Sequence, residues 1–106
     1  MNNELKFYIN GSWVESNSVE QIEVLNPATE EVLGKITAGT KEDVDIAVEA
    51  ATNAFQTYSN FSKDQKIAIF ESIIKEYEAR LPEMAEVISD EMGAPMWLSN
   101  VAQAAS

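Results

Sequence analysis

The spacing of apolar residues changes partway along the chain, and this change constrains the fold more than any other sequence feature. In the first third, apolar residues such as Leu5, Phe7 and Ile9 alternate with polar ones, as in a half-buried strand. Further on, apolar residues recur at spacings of three and four, as on one face of a helix. Strands followed by helices predict an α+β fold, with two β-hairpins at about 5–36 and three to four helices at about 41–106.

Two asparagine-containing turns predict the hairpins. Asn10-Gly11 lies between two apolar segments, and this dipeptide favours a type I′ turn because both central residues need a positive φ. Asn26-Pro27 ends a second apolar segment, since proline cannot donate a hydrogen bond to a strand partner. The segments on either side of it, within 21–36, predict the second hairpin.

Helix boundaries are predicted by capping residues. Thr40 with Asp43 and Ser62 with Gln65 have the spacing of capping boxes. Three further residues mark a first turn, a C-terminal stop and the start of a fourth helix: Pro82, Gly93 and Pro95. Residues 101–106 contain no such stop signal, so we expect the sequence to end in the middle of this last helix.

Composition limits the classes of function. An apolar fraction of 45% is enough to build a core, so disorder is not expected. Eighteen acidic residues against 7 basic ones argue against nucleic acid and anionic membranes as partners. No apolar run reaches the roughly 18 residues of a membrane helix, and the N-terminus does not resemble a signal peptide. We therefore expect a cytoplasmic protein.

No catalytic group of residues is recognisable. The sequence has no cysteine and no histidine, which removes the thiolate nucleophile and the commonest general base. It also lacks the glycine-rich patterns that bind dinucleotides or nucleoside triphosphates. We predict no catalytic and no cofactor-binding residue, and most carboxylates are interpreted as solvated helix faces.

Asp90 and Glu91 are the carboxylates that depart in part from this interpretation. They lie in the last turn before Gly93, where a negative charge opposes the helix dipole by about 0.3–1 kcal/mol. A cation beside Glu91 would relieve this cost. A surface carboxylate that tolerates the cost is the alternative.

The order of four segments resembles the N-terminal part of the NAD(P)-dependent aldehyde dehydrogenase superfamily. Members share an F-I-x-G-x-W hairpin, an N-P-x-T-G-E turn, a D-V-x-x-A-V helix and an E-x-G-K-P helix junction. The corresponding segments here are 7–14, 24–32, 42–48 and 91–95. Two residues depart from the family pattern. Glu30 replaces a common glycine, so that turn is expected to differ in shape, and Ala94 replaces a frequent lysine.

The resemblance implies that residues 1–106 are the N-terminal portion of the cofactor-binding domain of a longer α/β enzyme. That parent would use NAD or NADP to oxidise an aldehyde to a carboxylic acid, through a thiohemiacetal on a cysteine downstream of this region. The partners implied are the remainder of the parent chain, the aldehyde and further copies in a homo-oligomer. The 106 residues alone are expected to be inactive and to bind no cofactor.

The resemblance also implies site residues. Ala102 and Ser106 correspond to positions near the substrate entrance of the family. Val24 and Leu25, through backbone carbonyls, and Glu91, through its side chain, correspond to a monovalent-cation site in some members.

A second hypothesis is a self-standing acidic α+β module that functions by binding a protein partner. The two hypotheses differ in whether the gene continues to encode protein beyond Ser106. A reading frame that stops at this residue would favour the module.

Overall fold

The computed structural model describes residues 3–106 and divides them into two compact units. Unit 1 comprises 3–24 and Gly34–Phe61, and unit 2 comprises Leu25–Leu33 and Ser62–Ser106. Unit 2 is therefore built from two stretches that are separated in the sequence.

The first hairpin forms as the sequence predicts. Strands β1 (Lys6–Ile9) and β2 (Ser12–Glu15) are antiparallel. Asn10 and Gly11 join them with φ angles of 53° and 78°, which are the positive values that a type I′ turn requires. The Asn-Gly prediction is confirmed.

The second hairpin pairs strand β3 (Gln21–Leu25) with strand β4 (Val32–Thr37). Its turn contains Glu30 with a φ of 61°, in the left-handed region that glycine adopts at low cost. The backbone thus has a glycine-like conformation at this position although the side chain is glutamate.

Four helices come after the hairpins, and their predicted starts and the stop predicted at Gly93 agree with the structure. Thr40 and Ser62 form complete capping boxes with Asp43 and Gln65. The helices are α1 (Lys41–Tyr58), α2 (Lys63–Ala79), α3 (Leu81–Met92) and α4 (Met96–Leu98).

The fourth helix changes its winding after Leu98. Residues Ser99–Gln103 form a π-helical segment, in which the amide of Ala104 donates to the carbonyl of Ser99 at 2.7 Å. The Tyr77 hydroxyl on α2 donates to the carbonyl of Ala104, also at 2.7 Å. The predicted helix is therefore present, but its second half is π-helical, and its end is joined to α2 by the bond between Tyr77 and Ala104.

Burial within the chain is sparse. Among residues 3–106, those classed as buried are Ala85, Ser99 and Ala104. The large apolar side chains predicted to form stripes on α1 and α2 lie at the surface, with Phe55 63% exposed. The apolar residues are numerous enough to build a core, but in the described part of the chain their large side chains are not buried against one another. In the described part of the chain, no helix is long and apolar enough to cross a membrane.

Candidate functional site

The C-terminus of α3 packs against the turn of the second hairpin, within unit 2. Gly93 ends α3 with a φ of 69°, the left-handed conformation predicted from its place in the sequence. A Cβ atom at this position would lie 3.1 Å from both the amide nitrogen of Ala28 and Cγ of Pro27. A larger residue here would be strained by its φ and would require the turn to move by a few tenths of an ångström.

The turn itself is fixed by hydrogen bonds from its own residues. Oδ1 of Asn26 accepts from the amides of Ala28 at 2.9 Å and Thr29 at 3.3 Å. The amide of Asn26 donates to the carbonyl of Glu31 at 2.9 Å, and the amide of Glu30 donates to the carbonyl of Asn26 at 2.7 Å. These bonds present Ala28 to Gly93 in a defined conformation.

Two of the three predicted cation-site residues flank this contact in the sequence. Leu25 directly precedes the turn, and Glu91 lies two residues before Gly93 with an exposed side chain. Val24 precedes Leu25 on β3 and belongs to unit 1.

Residues 3–106 contain no group of three or more histidine, cysteine or acidic side chains that could hold a metal ion. The assignment of Val24, Leu25 and Glu91 stays a prediction.

The predicted substrate-entrance residues lie at the end of the chain. Ala102 belongs to the π-helical segment and is exposed. Ser106 is also exposed, and its hydroxyl donates to the carbonyl of Gln103 at 3.1 Å. Their role near an entrance also stays a prediction.

Asp43 is the carboxylate with the most defined surroundings in unit 1. Its Oδ2 accepts from the Ser16 hydroxyl at 2.6 Å, from the Thr40 amide at 2.8 Å and from the Thr40 hydroxyl at 2.9 Å. The hydrogen bond from Ser16, followed by that from the Thr40 amide, lowers the pKa of Asp43 below its ordinary value. This group serves structure, since it joins the loop after β2 to the start of α1.

The surface of unit 1 has two shallow depressions. One, of about 350 Å³, is lined mainly by polar side chains, among them Lys6, Glu15 and Ser16. The other, of about 370 Å³, lies between the first hairpin turn and alanines of α1. Because the sequence contains neither histidine nor cysteine, neither depression pairs a strong nucleophile with a histidine base. The sequence also contains no glycine-rich loop of the type that binds dinucleotides.

Three contacts were not predicted from the sequence. They are the docking of the turn on Gly93, the bond between Ser16 and Asp43, and the bond between Tyr77 and Ala104. Each joins residues that are far apart in the chain. The glycine stop and the Asn-Pro turn were both recognised, but their contact has no signal in a single sequence.

The chain is similar in sequence to known proteins along most of its length. Residues 13–105 match the model of the aldehyde dehydrogenase family. A Staphylococcus aureus protein named "Putative aldehyde dehydrogenase" is 54% identical over 99 residues. That match covers 93% of this chain and 21% of the relative, so the chain spans about a fifth of the length of the curated relatives it matches.

Solved structures give the same correspondence in three dimensions. The crystal structure of an aldehyde dehydrogenase from Bartonella henselae superposes with a TM-score of 0.94 at 41% identity, over 99% of this chain and 22% of that one. A mutant of aldehyde dehydrogenase C from Pseudomonas syringae, in complex with NAD+ and octanal, superposes with a TM-score of 0.95 at 38% identity. This second match covers 97% of this chain and 21% of the Pseudomonas chain.

Proposed function

This chain belongs to the aldehyde dehydrogenase family, in which it corresponds to an N-terminal region, and from that premise we propose that it is the N-terminal portion of the cofactor-binding domain of a longer NAD(P)-dependent aldehyde dehydrogenase. The observation that carries the proposal is the superposition of nearly all of this chain on about a fifth of a solved enzyme. The role of this portion is structural support for chemistry that other residues perform.

The proposed reaction of the longer enzyme is the oxidation of an aldehyde to a carboxylic acid. When bound, NAD or NADP would accept the hydride that leaves the aldehyde carbon. The attacking thiolate would come from outside these residues, because the sequence contains no cysteine. Residues 3–106 contribute a rigid turn, two capped helices and the junction at Gly93.

The alternative of a self-standing acidic interaction module is not favoured. A family match over residues 13–105 accounts for the strands and helices together, and the acidic residues then need no separate role. Cytoplasmic location and homo-oligomeric assembly remain predictions.

The experiment that tests the proposal is a chimera. The region of Pseudomonas syringae aldehyde dehydrogenase C that matches this chain is replaced by residues 1–106, and NAD+-dependent oxidation of octanal is followed at 340 nm. We expect the chimera to fold and to retain at least about one tenth of the parent activity, and we expect the 106-residue chain alone to be inactive. An insoluble or inactive chimera, beside an active parent enzyme, would contradict the proposal. Aldehyde oxidation by the 106 residues alone would contradict the assignment of a purely supporting role.

A further inference from the structure

The turn of the first hairpin places the side-chain amide of Asn10 beside an unshielded backbone amide. Of the asparagines in the sequence, only Asn10 is followed by a glycine. Both residues are exposed, and a Cβ atom built on Gly11 would meet no atom beyond its chain neighbours within 4 Å. In residues 3–106, the structure shows no hydrogen bond that engages the Gly11 amide or the Asn10 side chain. Neither group is therefore held away from the other by a competing contact.

We propose that Asn10 is a modification site, at which the folded chain deamidates with water as the co-reactant. The Gly11 nitrogen loses its proton to solvent and bonds to Cγ of Asn10, and the side-chain nitrogen takes up a proton and leaves as ammonia. Water then adds to one carbonyl of the five-membered imide, the bond from that carbonyl to the Gly11 nitrogen breaks, and this nitrogen regains a proton. Cleavage at Cγ gives aspartate. Cleavage at the backbone carbonyl gives isoaspartate, in which the main chain runs through Cγ. The reaction needs no other polypeptide, so it does not depend on the proposed function.

The first hairpin supplies both the water and the backbone motion that this reaction needs. Asn10 and Gly11 line the depression of about 370 Å³ beside α1, so solvent reaches the imide. Ring closure requires the backbone at Asn10 to rotate out of the turn conformation. The turn belongs to a sheet of two strands, and a hairpin of this size opens locally at low cost. Glycine also has no Cβ atom to hinder the attack of its nitrogen.

Two other asparagines in the hairpin region lack one of these conditions. Asn17 is exposed, but the backbone amide of the next residue, Ser18, donates to the Ser16 hydroxyl at 2.9 Å. Asn26 precedes a proline, whose nitrogen carries no hydrogen, so the same ring cannot form there. Both residues are internal controls for Asn10.

The two products differ in their effect on the hairpin. Aspartate tolerates the left-handed conformation of Asn10, which has a φ of 53°. Isoaspartate adds a methylene group to the main chain, and the length of the turn fixes the pairing of β1 with β2. That pairing places Tyr8 opposite Trp13, with ring centroids 5.3 Å apart. Isoaspartate at position 10 should therefore separate the two rings, whereas aspartate should not.

The test is incubation of the 106-residue chain in mildly alkaline buffer, with samples taken over several weeks. Trypsin releases residues 7–35 as one peptide, which contains Asn10, Asn17 and Asn26, so tandem mass spectrometry compares the three sites in each sample. We expect Asn10 to be converted to the acid at least about tenfold faster than Asn17, and Asn26 to stay unchanged. Labelling by a protein-isoaspartate methyltransferase should then identify isoaspartate at position 10.

The variant Asn10→Asp separates the added charge from the added methylene group, and Asn17→Asp places the same charge outside the turn. Nuclear Overhauser contacts between the rings of Tyr8 and Trp13 should be present in both freshly prepared variants. In the aged chain they should be lost in proportion to its isoaspartate content.

Two results would overturn the proposal. In the first, Asn10 is converted no faster than Asn17 in the folded chain. In the second, Asn10 is converted in concentrated urea but not in native buffer, which would show that the turn protects it. Loss of the ring contacts in freshly prepared Asn10→Asp would contradict the separate effects assigned to the two products.

Discussion

Helices α1 and α3 are maintained by different kinds of interaction. Helix α1 has a complete capping box at Thr40, but none of the residues Lys41–Tyr58 is buried. Helix α3 has no side chain that caps a backbone amide at its N-terminus, but it buries Ala85 and ends at Gly93 against another segment. One helix is thus defined by hydrogen bonds between neighbours in the sequence, and the other by packing between distant residues.

This difference shows which helices bury side chains against other residues of the same chain. The buried residues of α3 and the π-helical segment are small, and small side chains let two backbone segments approach closely. The large apolar side chains of α1 have no equivalent site among the described residues of unit 1. We therefore expect α3 to be sensitive to added volume and α1 to be sensitive to the loss of its cap.

The largest effect is expected for Ala85→Leu. Ala85 is fully buried, and the added carbons would force the helices apart or into strained rotamers, at a cost of about 2–3 kcal/mol in the free energy of unfolding. Val87→Leu on the same helix is the control, since Val87 is exposed. Urea denaturation followed by far-ultraviolet circular dichroism measures both. Equal midpoints for the two variants would show that α3 is not maintained by packing at Ala85.

A smaller effect is expected for Thr40→Ala. The Thr40 hydroxyl accepts from the amide of Asp43 at 3.2 Å, and loss of an N-cap residue costs about 1 kcal/mol. Thr52→Ala is the control, because Thr52 lies inside α1 and donates only to the carbonyl of Val48. The same denaturation experiment applies, with helix content as the second readout. If Thr52→Ala were the more costly substitution, α1 would not depend on its cap.

The smallest effect near neutral pH concerns the charge of Asp43. Because hydrogen bonds from Ser16 and Thr40 lower its pKa in the folded chain, the ionised group stabilises the fold above its unfolded pKa. That contribution is lost as the pH falls through the folded pKa, so it disappears only in acid. Carboxyl chemical shifts measured by NMR during an acid titration give the pKa directly.

Ser16→Ala removes the first of these donors and should raise the pKa of Asp43 toward its ordinary value. Ser18→Ala is the matched control, because the Ser18 hydroxyl accepts from the amide of Glu20. An unchanged pKa in Ser16→Ala would mean that the loop after β2 does not support the start of α1.

The sequence predicts those parts of the molecule that depend on neighbouring residues. The type I′ turn, both capping boxes and the glycine stop at Gly93 are all confirmed, since each requires particular residues at fixed short spacings. The winding after Leu98 was not predicted, because no short spacing of residues in the sequence specifies a π-helical turn, and the bond from Tyr77 to Ala104 at its end joins residues far apart in the chain. The same reason applies to the contact between Gly93 and the turn.

The functional assignment depended on the order of motifs and not on any reactive group. The Asn26 turn and the Gly93 junction are among the segments that resemble the family, although the sequence does not show that they are in contact. Among the residues proposed for the cation and the substrate entrance, only Glu91 has a reason besides the resemblance, because its charge opposes the dipole at the C-terminus of α3. Val24, Leu25, Ala102 and Ser106 come from the resemblance alone.

The contact at Gly93 also constrains the order in which the chain can fold during synthesis. Pro27 and Ala28 leave the ribosome well before Gly93 does, and unit 1 residues Gly34–Phe61 emerge between them. The turn can form at once, because its hydrogen bonds are local. Its docking must wait until α3 has been made and the intervening loop has closed, which carries an entropic cost that grows slowly with loop length. Unit 2 is therefore completed after unit 1 has emerged, although its first residues are synthesised earlier.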